Sequence, residues 1–204
     1  MIKQAIRDFI VKRTFAAKLR NKGMNTFSNF EILKSIRSSA ELKRTEENRP
    51  HEVMYFHKVD DPYSHLAIQY IDKLQESFDI SFESILVGEE NADAVHEPTL
   101  YSTYCFNDAR RIAPFFGVEF SAKSYPSREL VIKSNKILTA VDALNFAEVA
   151  KKVSSALWSG KESILDDLGR EYSSTDEEVS NKLESGNQIR NEKDDYFGSA
   201  FYYE

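Results

Sequence analysis

Residues 51–70, HEVMYFHKVDDPYSHLAIQY, constrain the fold more than any other part of the chain. Residues 54–59 are apolar-rich and extended in character, as a strand buried on both faces is. They run into Asp60-Asp61-Pro62-Tyr63-Ser64. There Asp61 offers a carboxylate that can accept backbone N–H bonds, and Pro62 a ring with φ preset for the first helical position. Leu66, Ala67, Tyr70, Ile71 and Leu74 then recur at helical spacing. A strand feeding a helix through so short a turn predicts an α/β fold, and such junctions are where these folds place chemistry.

The elements beyond this junction follow from the same patterns. Residues 79–87 (DISFESILV) predict a second strand with Ile80, Phe82, Ile85 and Leu86 toward the core. A helix-length crossover separates it from the first, so the two should be parallel. Residues 88–97 are acidic and loop-like. Residues 100–116 carry Tyr104, Ala109 and Ile112 at helical spacing, and Pro114 should kink or end that helix. Residues 129–141 and 163–172 read as further helices. Asn145…Glu148 and Thr175…Glu178 have the spacing of capping boxes, the first opening a helix through Trp158 and the second one more. Residues 194–203 return to strand character, with aromatic residues after Gly198.

On these residues the chain resembles the DsbA-like branch of the thioredoxin superfamily. Tyr55-Phe56, Val59, Asp61-Pro62-Tyr63-Ser64 and Leu66-Ala67 are similar to that branch's first strand and active-site turn. They are most similar to the 2-hydroxychromene-2-carboxylate isomerases and kappa-class glutathione transferases, whose turn reads Ser-Pro-Tyr-Ser. Residues 107–111 (NDARR) with Phe116-Gly117-Val118 resemble the first insertion helix. The likeness spans about residues 52–204. It implies an α/β thioredoxin-like fold with a large all-helical insertion and an N-terminal helical extension. Residues 1–50 would be the extension, 51–97 the first βαβ half, 98–190 the insertion and 191–204 the return to the sheet. It further implies glutathione as cofactor, with Asp61 and Ser64 at the catalytic positions and Pro62, Tyr63, Ser199 and Ala200 against the ligand. Matching Phe197-Gly198 to the branch puts Ala200 where relatives hold a cis-proline. A cis bond before a non-proline residue costs about 3 kcal/mol, so a trans peptide is expected there. A thioredoxin sheet has one more strand and a closing helix. The resemblance therefore implies either a C-terminally incomplete sequence, a piece of a longer protein, or a second domain or partner chain that completes the sheet, the third strand otherwise being an exposed aromatic edge.

The residues at the turn narrow the chemistry. Dithiol enzymes of the branch carry Cys-Pro-X-Cys, whereas Asp61 and Ser64 stand at those positions here. Cys105 is the one cysteine in the sequence, which excludes an internal disulfide or dithiol mechanism and fits a reducing, cytoplasmic setting. In the kappa-class relatives the first Ser hydrogen-bonds the glutathione thiolate. An ionised Asp61 has no proton to donate, and its charge would raise a neighbouring thiol's pKa. Asp61 would serve as a general base only if desolvation lifted its own pKa; as a helix N-cap it contributes about 1 kcal/mol. Ser64 reads as a first-turn residue bonded to backbone, and His57 and His65 as structural or exposed, since neither has a paired nucleophile. Asp60 and Asp61 alone are too few ligands for a cation, and Cys105 reads as a small apolar residue. No phosphate loop, dinucleotide fingerprint, zinc spacing or serine elbow occurs. Two functions follow: a glutathione-dependent isomerase or transferase acting on a small molecule, or a binding or scaffold domain of a longer tandem protein that has lost the chemistry.

Charge is unevenly spread, with Lys and Arg dominant over residues 1–50 and Asp and Glu dominant after about residue 159. The acidic second half argues against a nucleic-acid surface of clustered cations and aromatics. Residues 1–22 place Ile2, Ala5, Ile6, Phe9, Ile10, Ala16 and Leu19 near one helical stripe among cations, and Gly23 is expected to end the helix. Such a stripe packs on a protein body, its commoner use, lies on an anionic membrane surface, or serves as a targeting segment. A second helix is expected over residues 29–42, with residues 43–50 as a charged linker. No apolar run approaches the length that spans a bilayer.

Overall fold

The structure is a computed structural model that describes residues 14–89, 97–193 and 200–203. The chain divides into two units, Met1–Pro50 and His51–Glu204.

In the first unit, α1 (Thr14–Phe27) and α2 (Phe30–Glu46) are joined by Ser28 and Asn29. Asn29 is an N-cap with extended backbone, and its side chain accepts from the N–H groups of Glu31 and Ile32. Two expectations are corrected here. Gly23 does not end α1, because a helical glycine weakens a helix without breaking it, and here it keeps helical φ. The second helix runs on to Glu46, where Lys43 and Arg44 in the last turn suit the helix dipole, so the linker is shorter than the charge pattern suggests. The expected start of the first helix, residues 1–13, lies outside the described residues.

The second unit holds a three-stranded sheet in the order β2-β1-β3, with β1 at His51–His57, β2 at Ile80–Leu86 and β3 at Ala200–Tyr203. β1 and β2 are parallel, with Phe56 opposite Ile85, and β3 runs antiparallel to β1, with Phe56 opposite Ala200. Between β1 and β2 lie α3 (Pro62–Ile68) and α4 (Ile71–Ser77). The apolar periodicity predicts one helix here, but Gln69 interrupts it. Its side-chain amide donates to the His65 carbonyl, the acceptor a continuing helix would use, and to the Glu119 carbonyl, while Glu119 N–H donates back. Among the described residues, five helices separate β2 from β3: α5 (Pro98–Phe116), α6 (Arg128–Ala140), α7 (Phe146–Ser159), α8 (Glu162–Glu171) and α9 (Asp176–Glu192). This is the expected α/β architecture with an all-helical insertion.

Pro114 sits inside α5 without ending it, since it forfeits only one N–H; Gly117, at φ +62, terminates the helix. Asn145 forms no capping box. Its N–H and side-chain amide both donate to Asp142, and its backbone is already helical. Thr175 does form one: its hydroxyl accepts from Glu178 N–H while the Glu178 carboxylate accepts from Thr175 N–H at 2.7 Å. Thr175→Ala is therefore expected to destabilise the unit by about 1 kcal/mol in urea denaturation.

Two apolar clusters flank the sheet. Tyr55, Ile68, Ile71 and Leu86 pack with Leu138 of α6, Val153 and Trp158 of α7 and Leu165 of α8. Phe56, Ile85 and Val87 pack with Ile189 of α9 and Tyr202 of β3. β1 alternates between these clusters, as a central strand covered on both faces must.

Candidate functional site

The turn leaves β1 at His57 and enters α3 at Pro62, as the residue pattern predicts. Asp61 is the N-cap: its backbone is extended, and its Oδ2 accepts from Ser64 N–H at 2.7 Å. Pro62 is buried at the first helical position. Ser64 is fully buried, and its Oγ accepts from Lys58 N–H at 3.0 Å, closing the turn on itself. The backbone thus engages both residues that the resemblance implies as catalytic. Asp60 lies within 3.6 Å of Lys58 Nζ, which also reaches Glu89. Among the described residues, no three of His, Cys, Asp and Glu converge as a metal site would require.

Beneath the turn, a buried chain of groups fixes its shape. Tyr55 Oη donates to the Ser64 carbonyl at 3.0 Å, which leaves His57 Nδ1–H to donate to Tyr55 Oη at 2.8 Å. His57 Nε2 is then a bare lone pair, with no hydrogen-bond partner. Burial, assisted by the charge of His65, lowers the His57 pKa to about 3. His57 is fully buried, so of the two expectations the structural one applies: the helical insertion covers that face of β1, and the His57 ring meets Phe146 edge-on. His65 is buried as well, bonded through Nδ1 to Ser154 Oγ and stacked on Trp158, and burial lowers its pKa to about 4.

The other wall of the turn comes from α5. Tyr63 Oη donates to Asp108 Oδ2 at 2.7 Å, and burial followed by that bond pushes the Tyr63 pKa up. Cys105 is buried beside them. Burial raises its thiol pKa against the pull of the Tyr101 and Tyr63 hydroxyls, with Asp61 and Asp108 adding to the rise. The thiol is therefore protonated near neutrality and is no nucleophile. Reading the residues singly missed this wall, although Tyr101, Cys105 and Asp108 stand at helical spacing and share one face. Tyr125, whose hydroxyl donates to the Ser102 carbonyl, is a further missed neighbour. Of the remaining expected site residues, Ala200 pairs with Phe56 at the end of β1 nearest the turn, and Ser199 lies outside the described residues. The peptide bond before Ala200 lies outside them with it.

A parallel β1–β2 pair joined through helices, a helical insertion and an antiparallel β3 against β1 reproduce the order of elements that the resemblance implies. Comparison with solved structures decides the fold. A 2-hydroxychromene-2-carboxylate isomerase superposes with a TM-score of 0.51 at 17% identity, over 74% of this chain and 84% of its own. The chain has a thioredoxin-like fold with an all-helical insertion. A Nitrosomonas europaea protein provisionally named a protein disulfide isomerase superposes with a TM-score of 0.50 at 11% identity, over 75% of this chain and 88% of its own. No protein-family model matches the sequence, and no curated protein matches it. Within this fold, the turn between β1 and α3 holds a carboxylate, Asp61, bonded to its own helix.

Proposed function

We propose that this DsbA-like domain is a binding or scaffold module that has kept the fold and lost thiol chemistry. One observation carries the reading. Asp61 Oδ2 takes the Ser64 N–H, the donor a ligand thiolate at this turn would need, and leaves a negative charge in its place. A carboxylate there repels a thiolate and raises the pKa of any thiol brought near it. Ser64 is sealed beneath the turn and Cys105 is buried, so neither of these two side chains substitutes for the missing sulfur. A small-molecule ligand would meet Asp61, Pro62, Tyr63 and the α5 wall. A reducing, cytoplasmic setting belongs to the same reading and rests on the single buried thiol.

The second reading, a glutathione-dependent isomerase or transferase, is favoured by the Pro62-Tyr63-Ser64 turn and by the likeness to the chromene carboxylate isomerase. An assay of glutathione conjugation to an electrophilic aryl halide, with cis–trans isomerisation of a conjugated carboxylate alongside, separates the two. The expected result is no rate above the uncatalysed one. A protein-dependent rate that Asp61→Ala abolishes would overturn the module reading.

A further inference from the structure

The helices of the Met1–Pro50 unit are long enough to form but bury almost nothing. α2 has no buried residue, and Phe30, Ile36 and Leu42 are 70%, 52% and 66% exposed. On α1, Leu19 and Met24 are both 64% exposed. Helices of this length that bury so little apolar surface are marginal in water, and a surface that covers them would stabilise them. On α2 the spacing gathers Phe30, Ile32, Leu33, Ile36 and Ala40 on one side, with Arg37 and Lys43 set among them. Lys18 and Lys22 of α1, with Asn21, Asn25 and Ile32, line an open depression of about 440 Å³.

We infer that α1 and α2 dock on an anionic lipid surface. Lys and Arg outnumber Asp and Glu by 12 to 5 over residues 1–50, and are outnumbered 15 to 28 over the rest. Charge favours lipid over a like-to-like dimer. A second copy meeting it through the same face would set one basic unit against another, whereas anionic headgroups neutralise the cations as the apolar side chains enter the acyl boundary. The mixture of large aliphatic residues with lysine and arginine suits that interface, where the cations reach out to phosphates along their own stems. No helix among the described residues is long and apolar enough to cross a membrane, so the helices would lie on the surface rather than span it.

The test is co-sedimentation of the full chain with vesicles of phosphatidylcholine alone and of phosphatidylcholine with phosphatidylserine as about a third of the lipid. Binding is expected only to the anionic vesicles, weakening as salt rises, with a gain in helical circular dichroism. Phe30→Glu with Ile36→Glu, at exposed positions where no core is disturbed, should weaken it at least about tenfold. Absence of binding at low salt would overturn the inference. So would salt-sensitive binding that the two glutamates leave unchanged, or a lipid-free dimer that they dissociate.

Discussion

Lowering the pH from 7 to 5 is expected to cost the His51–Glu204 unit about 4 kcal/mol of stability. His57 and His65 are both buried, with pKa values held down to about 3 and about 4 from 6.5. In the unfolded chain both take up a proton as the pH passes below about 6.5, and in the folded chain neither does until well below that. The unfolded state therefore binds more protons across the interval, and stability falls as the pH falls. The stabilisation is fully present above about 6.5 and is lost progressively toward the folded pKa values. Among the described residues, no carboxylate is bonded to either ring to offset the loss: His57 faces Tyr55 and Phe146, and His65 faces Ser154, Gln69, Phe120 and Trp158. Exposed carboxylates such as Glu148 and Asp166, held low by bonds to Lys152 and Lys133, respond only at lower pH. Urea denaturation at pH 7, 6 and 5 checks this, with His65→Gln expected to remove about half of the slope. Equal stability at pH 7 and pH 5 would contradict the buried, neutral histidines.

Gly186→Ala is expected to destabilise the same unit by about 3 kcal/mol or more. Gly186 lies on α9 where the helix crosses β2. A Cβ there would overlap the Leu86 carbonyl oxygen and come within 3.1 Å of the Leu86 carbonyl carbon and 3.3 Å of Ile85 Cγ2. The obstacle is strand backbone locked in the β1–β2 ladder, so it cannot rotate aside as a side-chain tip could. Gly169 of α8 is the control. A Cβ there finds only Lys133 Cε, at 4.0 Å, so Gly169→Ala should stabilise the helix by about 0.5–1 kcal/mol. Thermal or urea unfolding of the two variants reads both. Similar effects of the two alanines would show that α9 does not lie directly on β2.

These two positions also mark where the sequence stops being legible. The Asp61-Pro62 junction could be read because cap chemistry is local: a carboxylate and a preset φ act on the next three residues. The capping box at Thr175 was readable for the same reason. The identical spacing at Asn145 misleads, because Asp142 lies close enough to take the amide's hydrogen bonds. The close approach at Gly186 depends on two segments about 100 residues apart, and no local pattern announces it. The break between α3 and α4 is of the same kind, since Gln69 is drawn out of the helix by the Glu119 backbone. At the site, the turn itself was visible. Its second wall was not, because Tyr101, Cys105 and Asp108 acquire meaning only once α5 is placed beside Tyr63.

The central claim is that the Asp61 carboxylate fills the place a thiolate would take at the turn, and so ends glutathione chemistry on this scaffold. Calorimetric titration of the folded protein with glutathione, run in parallel on Asp61→Ser, tests it most directly. The account predicts no heat of binding for the wild-type chain at millimolar glutathione, with any binding that appears confined to the serine variant. Saturable binding to the wild-type protein that Asp61→Ser leaves unchanged or weakens would contradict it.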